Sequence, residues 1–285
     1  MNNSDIKDTI FREAVEAIDT GNIALLEQLI NGHPRLITEK LNHPKEGYFN
    51  NPYLLWFIAD NPIRHDKLPE NIVAVTKLLI NAVKKTSPET YQHQIEYTLG
   101  LVTTGRIPHE SGKQIELIDL LIDAGAPPGK GHGALAHGNF DAARRLIERG
   151  GELTLVAAIC LCLPNNIEIL AKNASPSDLQ TSLIAAAFYG KADMIKFLIE
   201  LGADVNAFAD PGFHSHATAL HQAVYSGSLD TVKILVDAGA GLDIKDKVYE
   251  STPSGWAKHM RTVTGDDEMR KKYKEIETYL LGKEK

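Results

Sequence analysis

Apolar residues recur along most of this chain three and four positions apart, the spacing of one helix face, and Gly, Asn and Pro interrupt them at intervals. Ile6, Ile10, Phe11, Ala14, Val15 and Ile18 predict a helix over 6–19. Thr20-Gly21-Asn22 breaks it, and 23–30 resumes the period. Arg12, Glu13, Glu16 and Asp19 are expected on the outward face of this first pair. Residues 33–52 read as loop, 52–60 as a short buried helix, 61–71 as a long excursion and 72–83 as the next helix. A third pair is expected at 91–102 and 115–126, joined by an enlarged turn over 105–113. Between 127 and 133 the run Pro-Pro-Gly-Lys-Gly-His-Gly leaves room only for a short helix, since each helical glycine costs roughly 1 kcal/mol relative to alanine. Residues 139–151 resume the period, and 153–163 with 167–174 form a fifth pair.

From 180 to 241 one pattern is written twice. Leu183 aligns with Leu220, Ala186 with Ala223, Gly190 with Gly227, Phe197-Leu198 with Ile234-Leu235, and Gly202-Ala203 with Gly239-Ala240. Repetition with a period in the thirties marks stacked helical units. Thr218-Ala219-Leu220-His221 followed by Ala223, and Gly202-Ala203-Asp204-Val205-Asn206, resemble the ankyrin repeat, in a divergent, bacterial-type form. A last unit has Thr252-Pro253 and Trp256-Ala257 at matching places, with Ser254 and Gly255 where the family has Leu-His. The resemblance implies an all-α ankyrin-repeat solenoid of helix-turn-helix units with short β-hairpin-like fingers. It forms one domain over 1–285, with degenerate repeats in 1–175, two regular repeats in 176–245 and a C-terminal capping repeat in 246–285. Roughly eight units are counted. It further implies that Thr218 caps the following helix, that His221 ties repeats together, and that Gly202 and Gly239 end helices in left-handed backbone.

Charge narrows the partners. The formal net charge of −7, with no run of five or six like charges, argues against general nucleic-acid binding. No apolar stretch is long enough for a membrane span, and the acids and helical period of the first residues are unlike a signal peptide. A soluble, cytoplasmic monomer is expected. Cys160 and Cys162 sit two apart in an apolar stretch, a spacing poor for a disulfide, and read as buried thiols in a reducing compartment.

Function in ankyrin-like proteins lies on the exposed face of the first helices and at the finger tips. Carried over by position, that surface comprises Phe188, Tyr189, Tyr225 and His259. The enlarged finger adds Phe208, Asp210, Phe213, His214 and His216, and the next finger adds Lys245, Lys247 and Tyr249. The expected function is non-catalytic binding of a protein partner, with the aromatic residues as anchors. The competing reading is that Phe208 and Phe213 pack on each other and merely hold the loop. A second function class is a small-molecule or metal-responsive sensor using the 208–216 loop and a notch at 127–137 near His132 and His137. His109 and Ser111 lack a partner carboxylate, and the glycines around Lys130 have the wrong spacing for a phosphate loop. No catalytic residue, cofactor or metal ligand is assigned.

Overall fold

The computed structural model describes residues 5–44 and 47–283. Expectations touching 1–4, 45–46 and 284–285, including the start of the N-terminal stretch, lie outside the described residues. Among the described residues there is no strand, so the fingers expected to be β-hairpin-like are turns. The chain divides into two compact units, Met1–Glu152 and Leu153–Lys285.

In Met1–Glu152, α1 (Thr9–Asp19) and α2 (Ile23–Gly32) form the first pair. Asp8 starts α1 by accepting the Phe11 N–H at 3.0 Å. Its carboxylate also takes both guanidinium arms of Arg35, a charge-assisted fork that lowers the Asp8 pKa to about 2. Asp19, expected to face outward, instead turns into the unit and binds Arg64 at 2.8 Å. The expected loop over 33–52 contains a helical turn, α3 (Arg35–Thr38). Residues Leu54–Ala59 form a 3-10 helix rather than an α-helix, and all six are buried. Asp60 ends it in left-handed backbone (φ 44°), and its carboxylate collects the N–H groups of Arg64, His65 and Asp66. These bonds shape the 61–71 excursion.

The helices α4 (Ile72–Thr86) and α5 (Pro88–Thr104) follow. The enlarged turn then contributes α6 (Arg106–Glu110) before α7 (Gln114–Asp123). As the glycines of 127–133 dictate, α8 (His132–Ala136) is short; α9 (Phe140–Glu148) packs against it. Buried amides bond within and between the pairs. Gln114 Nε2 donates to Val102 O at 2.9 Å, and Asn139 Nδ2 donates to Thr103 O at 2.8 Å. On the surface, Asp119 of α7 accepts two bonds from Arg145 and one from Arg149 of α9.

In Leu153–Lys285 the pairs are α10 (Leu155–Cys160) with α11 (Pro164–Ala171), and α12 (Pro176–Phe188) with α13 (Ala192–Glu200). Then follow α14 (Ala219–Ser226) with α15 (Leu229–Asp237), and α16 (Pro253–Val263) with α17 (Asp267–Lys283). Ser175 and Asp178 form a capping box at the start of α12, with Pro176 in the first turn where no N–H is needed. Gly202 (φ 98°) and Gly239 (φ 90°) take the expected left-handed backbone after α13 and α15. The last helix buries Tyr273, Ile276 and Leu280 and leaves its charged face in water.

Two local expectations are corrected here. Thr218 makes no side-chain cap bond to its helix; its hydroxyl is 2.8 Å from His221 Nδ1. Cys160 is buried, but Cys162 is exposed, because the chain turns through left-handed backbone at Cys162 (φ 56°). The Cys162 sulfur accepts from Lys191 Nζ at 3.0 Å.

Candidate functional site

The residues expected to bind a partner fall into two aromatic groups in Leu153–Lys285. The first is a column of rings. His214 stacks on Phe188 (centroids 4.2 Å, planes 26° apart), and Phe188 stacks on Tyr225 (5.0 Å, 10°). Tyr189 meets Phe188 edge-on at 4.9 Å. The column spans the ends of α12 and α14 and the finger between their repeats. Its outer member, Tyr225, is 43% exposed. The backbone beneath that ring is held, because Tyr273 OH donates to Tyr225 O at 3.0 Å.

Phe213 is not on this surface. It is 1% exposed and stands edge-on to Phe188 at 5.9 Å and to His214 at 4.9 Å. The enlarged finger buries this ring as its own core, which removes it from any contact with a partner. Phe208 does not pack on Phe213 in a ring contact; the Lys247 ammonium lies 4.2 Å above its ring. Asp210 accepts from Ser177 Oγ at 2.5 Å. With Asp210 bonded to α12 and His214 flat on Phe188, the finger supplies no convergent ligand set. Among the described residues, no three His, Cys, Asp or Glu side chains gather as metal ligands.

The second group surrounds Trp256. His216 stacks on it at 6.0 Å, His221 meets it at 5.1 Å and Tyr249 at 6.5 Å. Its organiser is Asp246, a residue the sequence reading passed over. One oxygen of Asp246 accepts the N–H groups of Val248 and Tyr249; the other accepts from Ser251 N and Trp256 Nε1, each at 3.0 Å. Burial pushes the Asp246 carboxyl up, but these four donors outweigh it and hold its pKa at about 2. The cage presents Lys247 and Tyr249 to solvent, and Tyr249 is 72% exposed. Lys245 is exposed just before it, and His259 is exposed on α16.

His221 ties the last two repeats as expected. Its Nε2 lies 3.0 Å from Ser251 O, a carbonyl that can only accept, so the proton sits on Nε2 and Nδ1 accepts from Thr218. Burial lowers its pKa. The neighbouring fingers are also bonded: Asn206 Nδ2 donates to Gly239 O at 3.2 Å, Gly241 N to Asn206 Oδ1 at 2.7 Å, and Lys247 N to His216 O at 2.8 Å. Ser111, considered as a nucleophile, donates instead to Pro108 O at 2.9 Å.

No helix among the described residues is long and apolar enough to cross a membrane. No curated protein matches the chain. Residues 110–246 match the family model described as Ankyrin repeats (3 copies), a span that reaches back through α8 and α9 into the degenerate repeats. Residues 110–246 thus carry ankyrin repeats, and the described residues are all-α, arranged as successive helix pairs.

Proposed function

We propose that the protein is a non-catalytic binding module that engages a protein partner through the exposed rings of Leu153–Lys285. Ankyrin repeats are generally protein–protein interaction modules. The observation that carries this reading is the fixed aromatic column ending at Tyr225. A half-exposed tyrosine backed by two stacked rings presents a rigid apolar face with a polar tip, at little conformational cost on binding. The Asp246 cage adds Tyr249, Lys245 and Lys247 as the second contact, and Phe188, Tyr189, Phe208, Asp210, His214, His216 and His259 border the two groups. Phe213 supports the finger from within. The exposed Cys162 thiol suits a reducing, cytoplasmic setting.

The test is photo-crosslinking in source lysate with a benzophenone amino acid at Tyr225, repeated in a Tyr249→Ala background. One partner band, weakened by Tyr249→Ala and absent when the probe is moved to the far face at Lys233, is the expected result. Equal labelling from 225 and 233 would defeat the reading.

A further inference from the structure

A separate feature lies wholly within Met1–Glu152: a cavity of about 810 Å³ along α5, a size that accommodates a small organic molecule. Gly100, in the body of α5, forms part of its wall, and a Cβ built there would meet nothing within 4 Å. Glycine inside a helix is unfavourable relative to alanine; here it leaves the space open. Three rings face the same space. Trp56 stacks on Tyr97 (4.0 Å, 23°), and Tyr97 also lines the cavity. His93 stands 6.1 Å from Tyr97 at 53°, and Tyr48 adds the third ring. The tyrosines are tied by their rims. Tyr48 OH donates to Asn61 Oδ1 at 2.7 Å, and Tyr97 OH donates to Tyr48 O.

The charge around these rings has one sign in excess. The single guanidinium of the lining, Arg106, is already shared between Asp66 and Glu110. Arg64 behind the wall is likewise shared between Asp19 and Asp60. Among the described residues no cation pairs with Glu96 of the lining; its Oε1 accepts from Gln92 Nε2 at 2.7 Å. Among the described residues of the lining, an anion would therefore meet a carboxylate with no paired cation and a guanidinium already shared between two carboxylates. The oxygens of Asp60 are occupied by backbone N–H groups, and Asn61 Oδ1 by Tyr48. A primary ammonium, which must satisfy three N–H donors, would find few acceptors. An alkylated ammonium needs none, and is attracted to the faces of aromatic rings.

We propose that this cavity binds an alkylated ammonium group on an apolar stem, seated against Tyr97, Tyr48 and His93 with Glu96 as counter-charge. The same chemistry comes from a free quaternary amine or from a methylated lysine side chain. His137, singled out in the sequence beside the glycine-rich run, lies at the edge of this cavity.

The test uses the full chain, titrated calorimetrically with choline, with its neutral isostere 3,3-dimethylbutan-1-ol, and with N-acetyl-trimethyl-lysine amide. Saturable binding of at least one cation, roughly tenfold tighter than the neutral alcohol, is expected. The tighter of the two cations identifies the source. Gly100→Leu places a side chain into the cavity at a helix position where leucine is favourable and should weaken binding at least tenfold with helicity retained. Glu96→Gln, on an exposed side chain, should weaken it several-fold. The proposal is overturned if neither cation saturates, if the neutral alcohol binds as well as the cations, or if folded Gly100→Leu binds like the wild type.

Discussion

Replacing Phe213 by alanine distinguishes a finger that carries its own core from one that displays its rings. Phe213 is among the largest fully buried side chains of the chain, at 1% exposure, and its neighbours Phe188 and His214 are the inner members of the aromatic column. Removing a buried phenylalanine costs roughly 3–5 kcal/mol. A loop can close partly over the hole, so the lower end, about 3 kcal/mol, is expected here. At about 2–4 °C per kcal/mol for a chain of this size, the midpoint should fall by roughly 6–12 °C. Tyr225→Ala, at a 43% exposed site, loses mainly its stacking, about 1 kcal/mol, and should shift the midpoint by less than about 4 °C. Thermal denaturation followed by circular dichroism measures both. Hydrogen exchange should show the Phe213→Ala loss concentrated in 208–217 and α14, because repeat stability is built from neighbouring units. The reasoning fails if Phe213→Ala leaves the midpoint within about 1 °C of wild type, or if both variants lose stability equally.

Asp246→Ala should cost roughly 3 kcal/mol, since one ionised side chain holds three backbone donors and an indole; a quenched or red-shifted Trp256 fluorescence would report the opened cage. Its pKa is lowered from 3.8 to about 2, so the stability it supplies is complete above pH 3.8 and is lost as pH falls towards 2; a flat acid profile relative to Asp246→Ala would refute this. His221 has its pKa lowered from 6.5 by burial, so below pH 6.5 the unfolded chain binds a proton that the native state resists. The stability advantage of wild type over His221→Gln should therefore be larger at pH 7.5 than at pH 5.5, as read from urea midpoints. Cys162 should alkylate rapidly in the native protein while Cys160, with its thiol pushed up to about 12 by burial, reacts only after unfolding; equal labelling on intact-mass analysis would contradict the two environments.

Much of the architecture was legible because helix pairing writes itself into periodicity. Breaks at Gly21, Gly190 and Gly227 fall at the observed turns, and the short α8 follows from the glycines before it. The 3-10 geometry of Leu54–Ala59 was not legible, since six consecutive apolar residues have no polar face to reveal their period. Asp19 was misplaced for a related reason. The helical period puts it outside, but its partner Arg64 arrives from the 61–71 excursion, whose path depends on Asp60. Burial of Phe213 was equally hidden, because a phenylalanine in a long loop reads the same whether it anchors the loop or displays it. Only the ring column of Phe188 and His214 decides between them.

The cavity along α5 shows why irregularity in a repeat protein is informative in itself. In the two regular repeats the turn between paired helices is two or three residues long and reverses at Gly190 or Gly227, with a left-handed φ of 61° or 70°. In Met1–Glu152 two of the corresponding turns are swollen, and the swollen segments supply part of the cavity wall: Asn61, Pro62 and Ile63 from one, Gly105 and Arg106 from the other. A turn that served only to reverse the chain would gain nothing from added length, since lengthening a loop adds closure entropy without adding contacts. Here the added length is ordered by specific bonds, the Asp60 carboxylate shaping one excursion and Asp66 reaching Arg106 of the other. Asn61 extends further still, its Nδ2 donating to Leu101 O at 3.2 Å. Two departures from the repeat that are bonded to each other, and that meet at a helical glycine with open space beyond it, form one structure rather than two accidents of divergence. The regular repeats build a surface of rings; the irregular ones enclose a volume, and Gly100 is the residue whose substitution tells the two roles apart.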